Sequence, residues 1–461
     1  MQFERVASES DFKWGVSTAS YQIEGAWNAD GKGRSIWDVF ANTRGKIKDN
    51  SNANIACDFY HRYAHDITIM SQLGIPNFRF SISWSRILPD GIGPVNMYGI
   101  DFYNRVIDLC LELGITPWIT LYHWDLPYEL EKKGGWTNRE IINWFGNYVE
   151  VCIKHFSDRV SNWVVLNEPM AFTGAGYFLG VHAPGRKGLS NFLAAAHHAA
   201  ICQADGGRII KSLTSHSNVG TSFSATHIQP YTQSNEDVQA AVRVDALLNR
   251  TFVEPLAGMG YPIEDFRLLQ RMEQYVKDGD ESRLAFDMDF VGLQTYTRDV
   301  VSSSLFIPFI RAKIVKAQNR KVERTAMNWE IYPEGIYHAL KKLSKYNFKE
   351  IIVTENGAAF PDHVIDGRVI DTSRTRYLEQ HIAEVLRARR EGVNVNGYFV
   401  WSFTDNFEWA EGYQPRFGLV HINYATQQRT IKHSGYWYSK LVKKYASAHS
   451  LADVKSSFLD V

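Results

Sequence analysis

Two glutamates, each closing an apolar run, carry the first chemical suggestion in this sequence. Glu168 follows NWVVLN (162–167) and stands before Pro169; Glu355 closes EIIVTE (350–355), two residues before Gly357. A buried carboxylate is costly unless it is paired or put to use. Two that meet across a pocket can cleave a glycosidic bond: one gives a proton to the leaving oxygen, the other attacks the sugar carbon or activates water. Pro169 disfavours helical backbone at Glu168 and predicts an extended carboxylate. Trp163 and Phe172 stand close enough in sequence to desolvate it, which raises a carboxyl pKa as a general acid requires. Gly357 gives the chain after Glu355 freedom to turn sharply. Arg79 and the Tyr296 hydroxyl, reaching Glu355, would favour its ionised form, as a nucleophile requires.

Something must bring residues so far apart in sequence together, and the hydrophobic pattern says what. Eight short apolar runs alternate with longer amphipathic segments: 12–18, 77–82, 116–122, 162–167, 218–224, 290–296, 350–355 and 396–402. Their near-continuous hydrophobicity suits strands buried on both faces of a parallel sheet. Segment 101–114 places Phe102, Val106, Leu109 and Leu113 on one helical face and stops at Gly114. Segment 333–346 opens with Pro333 and Glu334 and gathers Lys341, Lys342 and Lys345 at its end, matching the helix dipole. Residues 225–289 form the longest excursion, with room for two helices. Eight alternations without a linker predict an α/β fold, a (β/α)8 barrel spanning residues 1–461 as one domain, with a doubly wound open sheet as the alternative.

A barrel collects function at the carboxyl ends of its strands. There this sequence places Gln22, Arg79, His123, Asn167 with Glu168, Tyr296, Glu355 and Trp401. One strand-end polar residue is ordinarily a solvated loop group; seven strands ending in this way define a mouth.

The bulk numbers close off other classes. Apolar content is 45%, charged content 22%, and fifty basic residues balance fifty acidic ones, so no field points to nucleic acid or an anionic membrane. Cys57, Cys110, Cys152 and Cys202 are scattered, as reduced core thiols of a cytoplasmic protein are. The N-terminal MQFERVASESDFKW lacks the apolar segment of a signal peptide, and no run is long enough to span a membrane. Asn249-Arg250-Thr251 matches a glycosylation acceptor by chance. GKGRS (31–35) fails as a phosphate loop in both spacing and final residue. His197 and His198 are adjacent and share no helix face, so one is expected packed and the other hydrogen-bonded rather than both on a metal. No metal or cofactor is implied.

The order QIEGAW, RFSISWSRI, HWDLP, LNEP, HAPG, WEIYPEG, VTENG and WSFTDNFEWAEGY, running from Phe12 to Trp437, resembles family 1 glycoside hydrolases. The resemblance implies a single (β/α)8 barrel and a retaining β-glycosidase acting on terminal β-D-glucosyl, and also β-galactosyl or β-fucosyl, residues of oligosaccharides or aryl and alkyl glycosides. It implies Glu168 as acid/base, Glu355 as nucleophile, and Arg79 and Tyr296 as their support. Gln22, His123, Asn167, Trp401, Glu408 and Trp409 resemble the grip on the non-reducing sugar, with Asn167 at its 2-hydroxyl. Trp329 resembles the platform for the leaving group, and Phe417 lies near the 6-position. Two departures stand out. Gln294 replaces the more usual Asn and puts that contact in question. AEGYQPRFG after Trp409 lacks the cationic group that phosphosugar relatives use, and Glu408 would repel a 6-phosphate.

Two other functions stay open: a transglycosylase, which differs in what attacks the glycosyl-enzyme, and a catalytically silent sugar-binding scaffold. Segment 302–316 (SSSLFIPFIRAKIVK) follows the sixth strand. Phe306 and Phe309 there either pack on neighbouring loops or form an aglycone entrance or a contact within a homo-oligomer.

Overall fold

The eight apolar runs become eight strands because each can bury both faces. The structure, a computed structural model, describes residues 12–457. Its barrel strands are β1 (Lys13–Ser17), β2 (Asn77–Ser81), β3 (Thr116–Tyr122), β4 (Asn162–Asn167), β5 (Asn218–Ser224), β6 (Phe290–Gln294), β7 (Ile351–Asn356) and β8 (Val395–Trp401). All are parallel, and each pairs with its neighbours in sequence. β8 returns to β1 in register from Lys13↔Gly397 to Ser17↔Trp401, which closes the ring and rules out the open sheet. Closure leaves no unpaired barrel edge.

The interior is stacked in tiers. Its floor is Trp118, Val164, Phe290, Ile352 and Phe399, one residue from each of five strands. Phe290 and Phe399 meet the indole of Trp118 edge-on at 5.4 and 5.2 Å. Above the floor lies a tier of small hydroxyls: Ser17 Oγ donates to the Thr354 carbonyl at 2.8 Å, and Ser222 Oγ sits 3.0 Å from Thr354 Oγ1. Gly292 makes this tier possible. A Cβ there would lie 2.3 Å from Ser222 Oγ and 2.6 Å from Thr354 Oγ1. The polar residues of the mouth stand on this tier.

Outside the ring some expectations need correction. The helix expected over 101–114 begins earlier, at Met97, and ends at Glu112. Its buried stripe is Phe102, Tyr103, Val106, Ile107 and Cys110, whereas Leu109 and Leu113 are only half-buried. Residues 225–289 hold more than two helices. A short strand (His227–Pro230) is followed by helices Asn235–Asp245 and Val253–Leu256, a 3-10 stretch Arg267–Tyr275 and helix Asp280–Leu284. Each is too short and too interrupted for periodicity to announce it. The helix expected over 333–346 is Glu334–Leu343, with Lys341 and Lys342 in its last turn, and Lys345 falls in the 3-10 turn Ser344–Tyr346 that follows.

All four cysteines are free and buried. Among the described residues no helix is long and apolar enough to cross a membrane. The N-terminal stretch expected to lack a signal peptide lies, through residue 11, outside the described residues. The glycosylation match is folded away: Asn249 donates to the Thr226 carbonyl (2.8 Å) and Asp245 (2.7 Å), and its own oxygen accepts the Thr226 N–H (3.0 Å). Lys32 of GKGRS is spent on Asp38 at 2.7 Å.

The loops after β7 and β8 are bound to the C-terminal part of the chain by a buried ionic network. Lys432 Nζ donates to Asp362 and Asp405, both at 2.6 Å; Arg374 grips Asp362 at 2.8 Å and Arg416 reaches Asp405 at 2.7 Å. Three cations and three carboxylates (Asp371 also meets Arg374) balance in a network that is buried apart from Arg416, which is partly exposed.

The floor should be the least forgiving part of the barrel. Phe290→Ala is expected to cost about 3–5 kcal/mol, read as an earlier melt in calorimetry at fixed scan rate. An unchanged melting temperature would mean that the floor does not hold the ring together.

Candidate active site

Simple alternation does not deliver the mouth residues. With Val164 in the floor, a regular β4 would turn Asn167 outward. A register shift between Val164↔Gly220 and Asn167↔Ser222 inserts one residue and brings Asn167 back to the inner side. β7 repeats the device: a shift between Val353↔Leu293 and Glu355↔Gln294 turns Glu355 inward beside Gln294.

Glu168 is not extended, contrary to the expectation. Its backbone is left-handed (φ 45°, ψ 65°), and it caps a short helix, Pro169–Thr173, with proline in the first position. Proline excludes the right-handed helical region for the preceding residue. The chain must still reverse from strand to helix, and the left-handed region satisfies both demands, at about 1–3 kcal/mol of strain. The Glu168 N–H is held by the Ser222 carbonyl at 2.9 Å. Trp124 (φ 78°) and Trp409 (φ 47°) line the same cavity and are likewise left-handed.

The centre of the site is a buried ion pair. Arg79 Nη1 donates to Glu355 Oε1 at 2.5 Å, and Nη2 donates to Asn167 Oδ1 at 2.6 Å. Gln294 Nε2 bridges the same two acceptors, at 2.9 Å to Glu355 and 2.6 Å to Asn167. The longer side chain therefore keeps a contact with both. Tyr296 donates its hydroxyl to Glu355 Oε2 at 2.6 Å. Two donors on Asn167 Oδ1 fix the orientation of that amide, and its Nδ2 lies 3.1 Å from His123 Nε2.

Above this hub opens a cavity of about 430 Å³ whose lining includes His123, Glu168, Tyr296, Trp329, Glu355, Trp401, Glu408, Trp409 and Phe417. Gln22 lies behind it and donates to the Phe407 carbonyl at 2.9 Å and, more weakly, to Glu408 at 3.4 Å. The His123 ring lies nearly parallel to Trp401 and Trp409, each 5.9 Å away. Trp329 is half-exposed, 5.3 Å from Tyr296 and 6.1 Å from Phe417. Every site residue expected from sequence thus lines this cavity or supports its wall.

The electrostatics divide the two glutamates. Burial pushes Glu168 up, to about 8, and the charge of Glu355 adds to it; Ser224 and Arg79 pull the other way. Burial raises Glu355 as well, but Arg79, Tyr296 and Gln294 all oppose it. Of the pair, Glu355 is the one held as carboxylate. Burial, with Glu355 and Glu411 nearby, pushes Glu408 up to about 8. Burial and the Arg79 cation hold His123 well below the usual imidazole range, so it is neutral.

Some assignments fail. Phe172 packs on Tyr122 and Trp136, and neither it nor Trp163 lines the cavity; the aromatic groups that share the cavity with Glu168 include His123, Trp124, Tyr296, Trp329, Trp401 and Trp409. Phe306 and Phe309 are 97% and 58% exposed and absent from the cavity wall, so they form no aglycone entrance there. They sit between two antiparallel strands, Arg298–Ser303 and Ala312–Ile314. His197 and His198 are both buried and both hydrogen-bonded, His197 to Tyr261 and Asp280, His198 to the Trp136 carbonyl. Among the described residues no group of His, Cys, Asp or Glu could hold a metal ion. A larger cavity of about 840 Å³ lies between helices Asn235–Asp245 and Glu334–Leu343, but Asp245 and Arg250 in its wall are already ion-paired and neither glutamate of the hub reaches it.

Sequence reading missed Gln294 as a bridge, and it missed Ser224, Thr226, Thr297 and Asp299 in the cavity wall. The signal for Gln294 was available: in the run FVGLQTY it is two residues beyond Gly292, on the same inward face.

The family model for Glycosyl hydrolase family 1 matches residues 6–446. Beta-glucosidase A of Thermotoga maritima is 46% identical over 437 residues, covering 94% of this chain and 97% of the relative. A 1,4-beta-D-glucan glucohydrolase of Thermotoga neapolitana is 44% identical, with the same coverage. A solved Thermotoga maritima family 1 glycoside hydrolase, complexed with a cyclophellitol analogue transition state mimic, superposes with a TM-score of 0.91 at 44% identity, covering 95% of this chain and 98% of that one.

Gly357 has a different role from the turn first expected. A Cβ at this position would lie 1.8 Å from the Trp401 carbonyl oxygen, so its smallness sets the distance between the ends of β7 and β8. Gly357→Ala should push Trp401 away from Glu355 and lower kcat/KM on an aryl glucoside about ten- to hundred-fold, together with the melting temperature. Wild-type values for both would show that this spacing is not critical.

Proposed function

This chain belongs to glycosyl hydrolase family 1 and is a retaining β-glucosidase; on that premise we propose how its residues divide the reaction. Glu355 attacks the anomeric carbon of a terminal β-D-glucosyl residue while Glu168 protonates the leaving oxygen. The C–O bond to the aglycone breaks, and the sugar becomes an ester of Glu355. Glu168, now ionised, takes a proton from water. The water oxygen bonds to the anomeric carbon, and the ester bond breaks to free both sugar and Glu355. Residues 1–461 act as one catalytic domain.

The observation that carries this division is the contrast between two carboxylates in one cavity. Glu355 receives a guanidinium, an amide and a phenol. Glu168 forms no ion pair among the described residues and is dried by its surroundings, which suits a proton donor. The oxygen of Asn167 is already taken twice and its Nδ2 lies beside His123, so the second N–H of that amide is the one left to donate to the 2-hydroxyl. Gln22, His123, Trp401, Glu408 and Trp409 grip the remaining hydroxyls and the ring face. Phe417 flanks the 6-position, and Trp329 stacks on the leaving group.

We read β-galactosides and β-fucosides as secondary substrates. A 6-phosphate is disfavoured, although not by the repulsion first invoked: near neutral pH a carboxyl raised as far as Glu408 carries a proton for much of the time. The stronger argument is that the cavity wall contains no Lys or Arg to receive a phosphate. Four buried free thiols support a reducing, cytoplasmic setting.

Glu355→Gln should abolish turnover of p-nitrophenyl β-glucoside, and retained turnover would end the nucleophile assignment. Glu168→Ala should slow substrates with poor leaving groups about a hundred- to ten-thousand-fold and activated aryl glucosides far less, with azide restoring deglycosylation. Equal losses across leaving groups would remove Glu168 from the acid role.

The pH profile tests the electrostatics. Glu168 must be protonated to act, so kcat/KM should fall as pH rises through its raised pKa; Glu355 must be ionised, so activity should fall again in acid. In Glu355→Gln the neighbouring negative charge is gone and the Glu168 pKa should drop. Carbon-13 NMR of labelled glutamate reads this directly, and an unmoved or higher pKa would contradict the coupling.

A further inference from the structure

The leaving-group side of the cavity contains a carboxylate that the proposed reaction does not use. Asp299 lies in the strand Arg298–Ser303, which pairs in parallel with His227–Pro230 so that Asp299 stands opposite Ile228. Neighbouring side chains on a strand point to opposite faces. Arg298 turns one way and clamps Glu330 with two bonds, of 2.9 and 2.8 Å; Asp299 turns the other way and joins the cavity wall with Thr226, Thr297, Met327 and Trp329.

The nearby cations are already committed. Arg320 also goes to Glu330, at 2.6 Å, so that carboxylate takes two guanidiniums while Asp299 takes none. The Asp299 carboxylate accepts no hydrogen bond from any described side chain and forms no ion pair with one, and the residue is half-buried in the cavity wall. Burial lifts its pKa to about 6, which leaves it ionised at neutral pH and able only to accept. A half-buried carboxylate without protein donors is free to take them from a ligand, and hydrogen bonds to a charged group are the stronger ones.

We propose that Asp299 is a specificity residue for the leaving group and selects a polyol, a second sugar whose adjacent hydroxyls donate to its two oxygens while the ring lies on Trp329. The pairing of a half-exposed indole with a free carboxylate matches the two surfaces of a sugar, apolar C–H faces and a rim of hydroxyls. An apolar aryl or alkyl group would use the indole and leave the carboxylate unmet. The inference rests on the retaining β-glucosidase reading above and narrows its substrate class to oligosaccharides.

The test compares cellobiose with p-nitrophenyl β-glucoside in wild type, Asp299→Ala and Asp299→Asn. The ratio of the two kcat/KM values should shift against cellobiose by about ten- to hundred-fold in the alanine variant, the range for a lost charged hydrogen-bonding partner. Asparagine keeps one acceptor oxygen at almost the same size, so its ratio should fall between wild type and alanine. An unchanged ratio in both variants overturns the proposal, and so does an equal loss on both substrates, which would mark Asp299 as structural. Failure of wild type to turn over either substrate, or full activity in Glu355→Gln, would instead bring down the underlying assignment.

Discussion

The guanidinium of Arg79 is buried in the barrel mouth with no exposure, and a cation there must have an anion. Glu355, itself only 4% exposed, supplies it. A desolvated pair of this kind is costly unless its remaining donors and acceptors are met, and the neighbouring residues follow from that demand. Asn167 takes the second arm of the guanidinium, Gln294 ties Asn167 to Glu355, and Tyr296 closes the other carboxylate oxygen. The same requirement persists through the proposed cycle. When Glu355 becomes a neutral ester, Glu168 has just lost its proton, so the negative charge moves across the cavity and does not vanish. Arg79 keeps a counter-charge within the site at every stage.

Much of the barrel could be read from the sequence because parallel strands buried on both faces leave an uninterrupted apolar signature, and because most runs end abruptly in a polar residue. The eight predicted runs match the eight observed strands within two residues at either end. Other features left no such mark. The one-residue shifts in β4 and β7 that turn Asn167 and Glu355 inward depend on pairing with strands far away in sequence, and a local pattern cannot reveal them. The left-handed backbone of Glu168 is a compromise between its proline and the reversal of the chain; local preference alone suggested an extended residue. The elements between β5 and β6 are too short and mixed to show a period. Asp299 was overlooked because it lies past the end of a barrel strand, in a short strand that starts a new alternation.

Part of the mouth departs from relaxed backbone geometry. Trp124, Glu168 and Trp409 all adopt left-handed backbone and all face one cavity. The apolar floor and the hydroxyl tier beneath are tightly packed, and the loops after β7 and β8 are fastened by the buried network around Lys432. Rigid support on both sides allows strained residues to persist in one arrangement. It also means that the sugar meets a preformed site, where donors and acceptors already face fixed directions.

The buried amide of Asn249 has a consequence for how this chain can be made. Glycan transfer to an Asn-X-Thr acceptor takes place on extended chain, and in the folded protein this amide is committed to Thr226 and Asp245. A sugar attached there would block the junction that leads from β5 into the cavity wall at Thr226. Secretion through a glycosylating host would therefore set modification of the nascent chain against its folding, and only unmodified molecules could complete the barrel mouth.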